Sequence, residues 1–265
     1  MQIETAFQKV PLPDRQAKPR ENGITMMIDW GLPLLNQSGV TEAAGFYIDM
    51  AKIAATIAGL MPKKILKQKL ANYKDFQIST SQGGLFTEYA YVKGKLNEFF
   101  GEVSELGFSA VEISDNLLDW SLKEKRKTIR MAIDDFGLKV LGEVGRKEGV
   151  MSDDQVLADL EVCLEAGSSA VFIEAYELFA GENIRSELIS EIARRFPREK
   201  IIYELPVVVL PGISREFKHK VTSWMVAEFG SEVNLANVEW DEIWMTEMLR
   251  RRVADNLEIK DGTGS

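Results

Sequence analysis

Residues 110–145 read AVEISDNLLDWSLKEKRKTIRMAIDDFGLKVLGEVG: an apolar run, a charged periodic stretch and a second apolar run. The flanking runs, AVEISD (Ala110–Asp115) and KVLGEVG (Lys139–Gly145), are short and rich in β-branched residues, which predicts strands rather than buried helices. The stretch between them repeats its apolar residues at helical spacing. Ser121 offers an N-cap and Gly137 a residue suited to the position just past a helix end, so a strand–helix–strand unit is expected here.

The unit recurs in both directions. Upstream lie ITMMIDWG (Ile24–Gly31), YIDMAKIA (Tyr47–Ala54) and FQISTSQG (Phe76–Gly83). Downstream lie AVFIEA (Ala170–Ala175), IIYELPV (Ile201–Val207) and EVNLANV (Glu232–Val238). Helical periodicity fills the gaps, as in KLNEFFGEVSELG, DDQVLADLEVCLEAG and WDEIWMTEMLRRRVAD, with Gly107 and Gly167 at helix ends and Ser152 as a further N-cap. The runs are continuously apolar rather than alternating, as befits parallel strands covered by helices. Eight strands separated by helices predict a closed (β/α)₈ barrel, and 265 residues suit one such domain. An open doubly wound sheet is the main alternative, but no GxGxxG follows the first strand. We therefore expect an N-terminal arm over 1–22, a barrel over 23–256 and a loose tail over 257–265.

Composition narrows the function. The formal net charge of −9 argues against a general nucleic-acid binder, which needs a basic face for phosphates. The N-terminal stretch has no apolar leader, and no later run of ~20 apolar residues could span a bilayer, so a cytoplasmic protein without a membrane partner is expected. Cys163 is the only cysteine and His219 the only histidine, which rules out an internal disulfide and any multi-histidine zinc or iron site built by one chain. Cys163 sits on an apolar helix face and is expected in the core; His219, in REFKHK, is expected to be solvated. An acidic barrel with apolar helices is also expected to form a homo-oligomer.

The most informative pattern is a series of glutamates. Glu112, Glu143, Glu174 and Glu204 sit in the fourth to seventh runs, spaced 31, 31 and 30 residues apart. A buried carboxylate is costly unless it is paired, protonated or bound to metal. Each glutamate could pair with its own lysine or arginine, but four in successive strands point to a hard-cation site with oxygen ligands, Mg²⁺ first and Ca²⁺ second. Lys52 in the second run and Lys147 just past the fifth are candidate general bases, with a structural counter-ion role equally open for Lys52. Asp29, Ser114, Asp115, Asn116 and Arg146 lie near strand ends, and Asp29, Ser114, Asp115 and Arg146 are candidate substrate ligands. Asn234 and Asn237 lie in the eighth run, near where many barrels bind phosphate. Gly83-Gly84 is read either as a turn or as backbone N–H groups brought close to an anion, and Arg250 to Arg252 as the basic end of the last helix.

These residues carry a resemblance. DWGLP (Asp29–Pro33), GFYIDMAK (Gly45–Lys52), GGLFTEYAYVKGKLNEF, LGFSAVEISD, GEVGRK, VNLANV and EMLRR follow one another as in phosphosulfolactate synthases, over roughly Gly23 to Asn256. The resemblance implies a (β/α)₈ barrel that adds sulfite to the enol carbon of phosphoenolpyruvate with Mg²⁺, in coenzyme M biosynthesis. It implies that Lys147 moves a proton and that Glu112, Ser114, Asp115, Glu143, Glu174, Glu204, Asn234 and Asn237 occupy family positions. The chain also departs from that family. Trp30 stands in place of a lysine, Tyr176 of an arginine and Leu178 of a serine, and ELPVVVLP replaces a polar, lysine-bearing loop. Two expectations result. One is a lyase or synthase of this type acting on an enol- or enolate-forming small carboxylate, with altered substrate. The other is a catalytically silent barrel that binds a ligand or a protein.

Overall fold

The computed structural model describes residues 5–118, 120–146, 150–180, 183–209 and 211–254. Eight parallel strands make one nearly closed barrel: β1 (Thr25–Asp29), β2 (Met50–Ile53), β3 (Ser79–Gln82), β4 (Val111–Ile113), β5 (Val140–Val144), β6 (Ala170–Ile173), β7 (Ile201–Glu204) and β8 (Leu235–Glu239). Their order around the sheet is β3-β2-β1-β8-β7-β6-β5-β4. The seam between β3 and β4 is bridged where the amides of Ser109 and Ala110 donate to the Thr80 carbonyl at 2.9 and 3.0 Å. Seven of the strands lie within the predicted runs, and β8 extends one residue past its run, to Glu239.

The outer layer comprises α1 (Leu34–Ala44), α2 (Ile57–Leu60), α3 (Lys63–Asp75), α4 (Gly84–Val92), α5 (Leu96–Leu106), α6 (Leu122–Asp134), α7 (Asp153–Glu165), α8 (Ser186–Arg195), α9 (Arg215–Phe229) and α10 (Ile243–Arg250). Ser121 and Ser152 cap α6 and α7 through reciprocal capping boxes with Glu124 and Gln155. Gly107 ends α5 in the left-handed conformation, φ 89°. No helix among the described residues is long and apolar enough to cross a membrane.

Two apolar layers hold the barrel. The larger packs strand residues such as Val111, Ile113, Val140 and Ile173 against helix residues such as Phe100, Ile129, Leu160 and Ile189, with Cys163 fully buried among them. The smaller fills the barrel interior with Met26, Ala110, Leu141, Phe172, Ile202 and Ala236, with the half-buried Met50 packed against it. Strands buried on both faces need apolar residues at consecutive positions, which is why β1, β5 and β8 read as continuous runs.

Three helices each carry a lysine among their inward residues. Lys69 on α3 binds Asp29 (2.8 Å) and the Leu32 carbonyl; Lys125 on α6 binds Asp159 (2.7 Å) and the Glu143 carbonyl (2.6 Å); Lys218 on α9 binds Glu242 (2.9 Å) and the Asn237 carbonyl (2.7 Å). Each ties a helix to the chain at or just past the C-terminal end of a strand. The N-terminal ends are tied by arginines. Arg15 reaches Glu232, Glu247 and the Gly23 carbonyl, and Arg20 reaches Asp49. Arg250 is the basic end of α10, as expected, and there it is buried and donates to the carbonyls of Ser231, Val233 and Ile24. His219 is half-exposed on α9, its Nε2 3.7 Å from Glu242.

Candidate active site

Strand alternation builds the site. Every second residue of a strand faces the same side, so two positions beyond the interior plug the barrel presents Ile28, Lys52, Glu112, Glu143, Glu174 and Glu204. All six line one cavity of about 70 Å³ at the C-terminal ends of the strands. Trp30, Ala54, Ala55, Gly83, Gly84, Leu85, Asn116, Val207 and Asn237 complete its walls. A pocket at that end is where barrel enzymes work.

Glu143, Glu174 and Glu204 are buried and bring carboxylate oxygens within 4.8 Å of one another. Glu112 borders this group in the same cavity, with a side-chain hydrogen bond to Glu143, but is not one of the three. Its Oε1 accepts from the Gly84 amide at 2.6 Å, and its Oε2 lies 3.0 Å from Lys52 Nζ. The Gly83-Gly84 pair therefore does bring an amide to an anion, and the anion is the protein's own. A Cβ on Gly84 would stand 2.5 Å from Ser114 Cβ and 3.0 Å from Glu112 Oε1, so only glycine allows this approach.

Lys52 is the one cationic side chain among the described residues that line the cavity. Its Nζ sits 2.6 Å from Glu204 Oε1, 3.0 Å from Glu112 and 4.7 Å from the centre of the Phe172 ring. Burial pulls its pKa down, but Glu112, Glu204 and Glu143 outweigh burial and hold the ammonium well above an ordinary lysine. Of the two roles expected for Lys52, this favours the counter-ion over the general base: it is a fixed cation and hydrogen-bond donor. Burial pushes Glu112 up, with Glu143 and Glu204 adding to the effect against the pull of Lys52.

Glu143 is placed from two sides. Asn116 Nδ2 donates to its Oε1 at 2.5 Å, and Lys125 holds its backbone carbonyl. Asn116 is in turn placed by Glu88 on α4. The buried Glu88 carboxylate accepts from the amides of Asn116, Leu117 and Leu118 at 2.9, 2.9 and 3.0 Å and from the Ser114 hydroxyl. Glu88→Ala leaves the buried Asn116 amide and Ser114 hydroxyl, and the part-buried Leu117 and Leu118 amides, without their acceptor and is expected to cost about 3 kcal/mol of unfolding free energy, read by urea denaturation.

The other expected ligands fall elsewhere. Asp29 is spent on structure: Oδ1 accepts from Gly31 and Leu32 amides, and Oδ2 accepts from Tyr73 (2.6 Å) and faces Lys69. Ser114 is bound to Glu88. Asp115 lies 3.2 Å from Lys125, and burial pushes its pKa up to about 7, with Asp159 adding to burial and Lys125 opposing it. Asn234 is at the opposite end of the barrel, just before β8, where it accepts from the Ile24 amide and donates to the Arg198 and Ile201 carbonyls. Asn237 does line the cavity, in a left-handed conformation with φ 59°. Arg146 is half-buried and is not among the lining residues; its amide donates to Glu177 at 3.2 Å. Lys147 lies outside the described residues. Glu177 also accepts from the Met151 amide and from Arg185, so it holds the chain on both sides of residues 147–149.

Sequence reasoning missed Glu88, Lys125 and Glu177; Asn116 was placed at a strand end but given no role. Lys125 had a signal, since it is in helical phase with the buried Ile129 and Ala132. Glu88 and Glu177 had none, because their partners are backbone amides distant in sequence.

A (β/α)₈ barrel with an acidic, lysine-bearing cavity at its C-terminal strand ends defines a class of barrel proteins that handle small molecules. Residues 13–256 match the (2R)-phospho-3-sulfolactate synthase (ComA) family, and the chain belongs to that family. It is 34% identical to a phosphosulfolactate synthase of Methanocaldococcus jannaschii over 242 residues, covering 87% of this chain and 92% of the relative. It is 31% identical to one from Methanothermobacter thermautotrophicus over 252 residues, covering 90% and 92%. Among solved structures, a truncated 3-deoxy-D-arabino-heptulosonate 7-phosphate synthase from Thermotoga maritima shares the fold, with a TM-score of 0.54 at 12% identity, covering 88% of this chain and 86% of that one.

Proposed function

We propose that the chain is a phosphosulfolactate-synthase-like enzyme that forms or breaks a bond at the enol carbon of a small carboxylic acid, with Mg²⁺ as cofactor and a substrate other than phosphoenolpyruvate plus sulfite. The observation that carries this is the triad of buried carboxylates, Glu143, Glu174 and Glu204, within 4.8 Å of one another in a family barrel. An all-oxygen donor set of this kind fits a hard divalent cation and disfavours zinc. Bound there, Mg²⁺ would supply Lewis-acid stabilisation of negative charge on a substrate oxygen. Lys52 would hold a substrate carboxylate or enol oxygen by a charge-assisted hydrogen bond, positioned by Glu112 and Glu204. Asn116 would keep Glu143 turned toward the cavity. Proton transfer falls to Lys147, by the family resemblance.

Charge supports the altered substrate. Phosphoenolpyruvate and sulfite bring several negative charges, whereas Lys52 is the only described cationic side chain on the cavity wall and is already shared between two carboxylates. The test is a thermal-shift series with Mg²⁺, Mn²⁺ and small carboxylates beside a turnover assay. The expected result is a metal-dependent rise in melting temperature with little formation of phosphosulfolactate. Robust formation under Mg²⁺ would refute the altered substrate, and no response to metal would refute the cofactor.

A further inference from the structure

The cavity has a polar floor and an apolar rim, and the rim comes from three separate strand-end loops. Trp30 follows β1, Leu85 opens α4 after β3, and Val207 follows β7; all three line the cavity above the carboxylates. Trp30 is 38% exposed although its chain segment is fixed, because Asp29 holds the next amides and is itself clamped by Lys69 and Tyr73. Leu85 and Val207 are each half-buried. Val207 belongs to the stretch LPVVVLPG, whose Val209 is also exposed. A large aromatic left partly open on a rigid turn at a cavity mouth gains by receiving apolar surface. Below it, about 70 Å³ accommodates only a compact head group beside an ion.

We infer that the substrate is a compact, enolisable carboxylate, of the 2-oxo acid kind, that carries a branched aliphatic or aromatic substituent seated against Trp30, Leu85 and Val207. This rests on the reading of the floor as a divalent-cation site that receives a carboxylate. The head group meets Lys52 and the triad, and the substituent points out of the barrel between the β1, β3 and β7 loops. Trp30 is then the residue that sets specificity for the substituent. Each methylene moved from water onto this rim should strengthen binding roughly fourfold.

The experiment is a calorimetric titration of the Mn²⁺-loaded protein with pyruvate, 3-methyl-2-oxobutanoate, 4-methyl-2-oxopentanoate and phosphoenolpyruvate. Affinity is expected to rise at least tenfold from pyruvate to 4-methyl-2-oxopentanoate, with phosphoenolpyruvate weaker than the branched acids. Trp30→Ala should remove most of that gain while leaving Mn²⁺ and pyruvate binding unchanged, and Leu35→Ala on exposed α1 surface should leave the whole series unchanged. A flat series, a gain that survives in both Trp30→Ala and Val207→Ala, or phosphoenolpyruvate as the tightest ligand would overturn the inference while the metal site stands. Failure to load Mn²⁺ at all would overturn the reading beneath it as well.

Discussion

Lys52→Met is expected to destabilise the protein by about 3–5 kcal/mol when metal is chelated, the cost of removing one partner from a buried charge cluster. The side chain is nearly inaccessible and touches Glu112 and Glu204, which are equally enclosed. Methionine keeps the stem's packing but leaves two carboxylates facing each other without the ammonium. Two accompanying results identify the cause. Adding Glu112→Gln to Lys52→Met should recover a large part of the loss, since neighbours in one network are strongly non-additive. Excess Mn²⁺ should also restore stability, because a dication beside the triad replaces the missing positive charge. Urea denaturation in EDTA and in Mn²⁺ measures all three. A loss below about 1 kcal/mol would mean that Lys52 does not balance the carboxylates.

Lys147→Ala is expected to lower turnover of the true substrate by at least about 10²-fold, the lower end of what a positioned acid or base contributes, with folding and Mn²⁺ binding intact. The role comes from the family resemblance, and other candidate bases are occupied or remote. Lys52 is held as an ammonium by its glutamates, so it is a poor base. His219 lies on α9, half-exposed and outside the cavity wall, and Cys163 is sealed in the core, its thiol raised by burial. Lys139→Ala, before β5 at the far end of the barrel, and Lys127→Ala, on the exposed side of α6, are the controls and should leave turnover unchanged. Full turnover in Lys147→Ala would refute its proton-transfer role. Unfolding would make it a structural counter-ion.

The barrel was legible because its strands are buried on both faces, so each appears as an unbroken apolar run closed by a helix signal. The acidic floor was legible for a related reason. Met50 to Lys52, Leu141 to Glu143, Phe172 to Glu174 and Ile202 to Glu204 each step two residues along a strand, so the strand period converts a spacing of 31 and 30 residues into one ring. What the spacing does not encode is who faces whom within the ring. Glu112 stands at the edge of the triad, hydrogen-bonded to Glu143 and held by the Gly84 amide at the start of α4 and by Lys52 on β2. Asn234 shows a second limit: it differs from Asn237 by three positions, which in this short strand separates the two ends of the barrel. The contacts of Glu88 and Glu177 are with backbone amides, which every sequence carries and none advertises.

Glu143, Glu174 and Glu204 are proposed to hold one divalent cation. The most direct measurement is the number of Mn²⁺ ions bound per chain, by electron paramagnetic resonance of free Mn²⁺ during titration, for the wild-type protein and for Glu143→Gln and Glu174→Gln. One ion per chain in the wild type, with affinity reduced at least tenfold in each variant while the melting temperature measured in EDTA is held or raised, is the expected result. No bound ion in the wild type, or an ion that binds both variants as tightly, would contradict it.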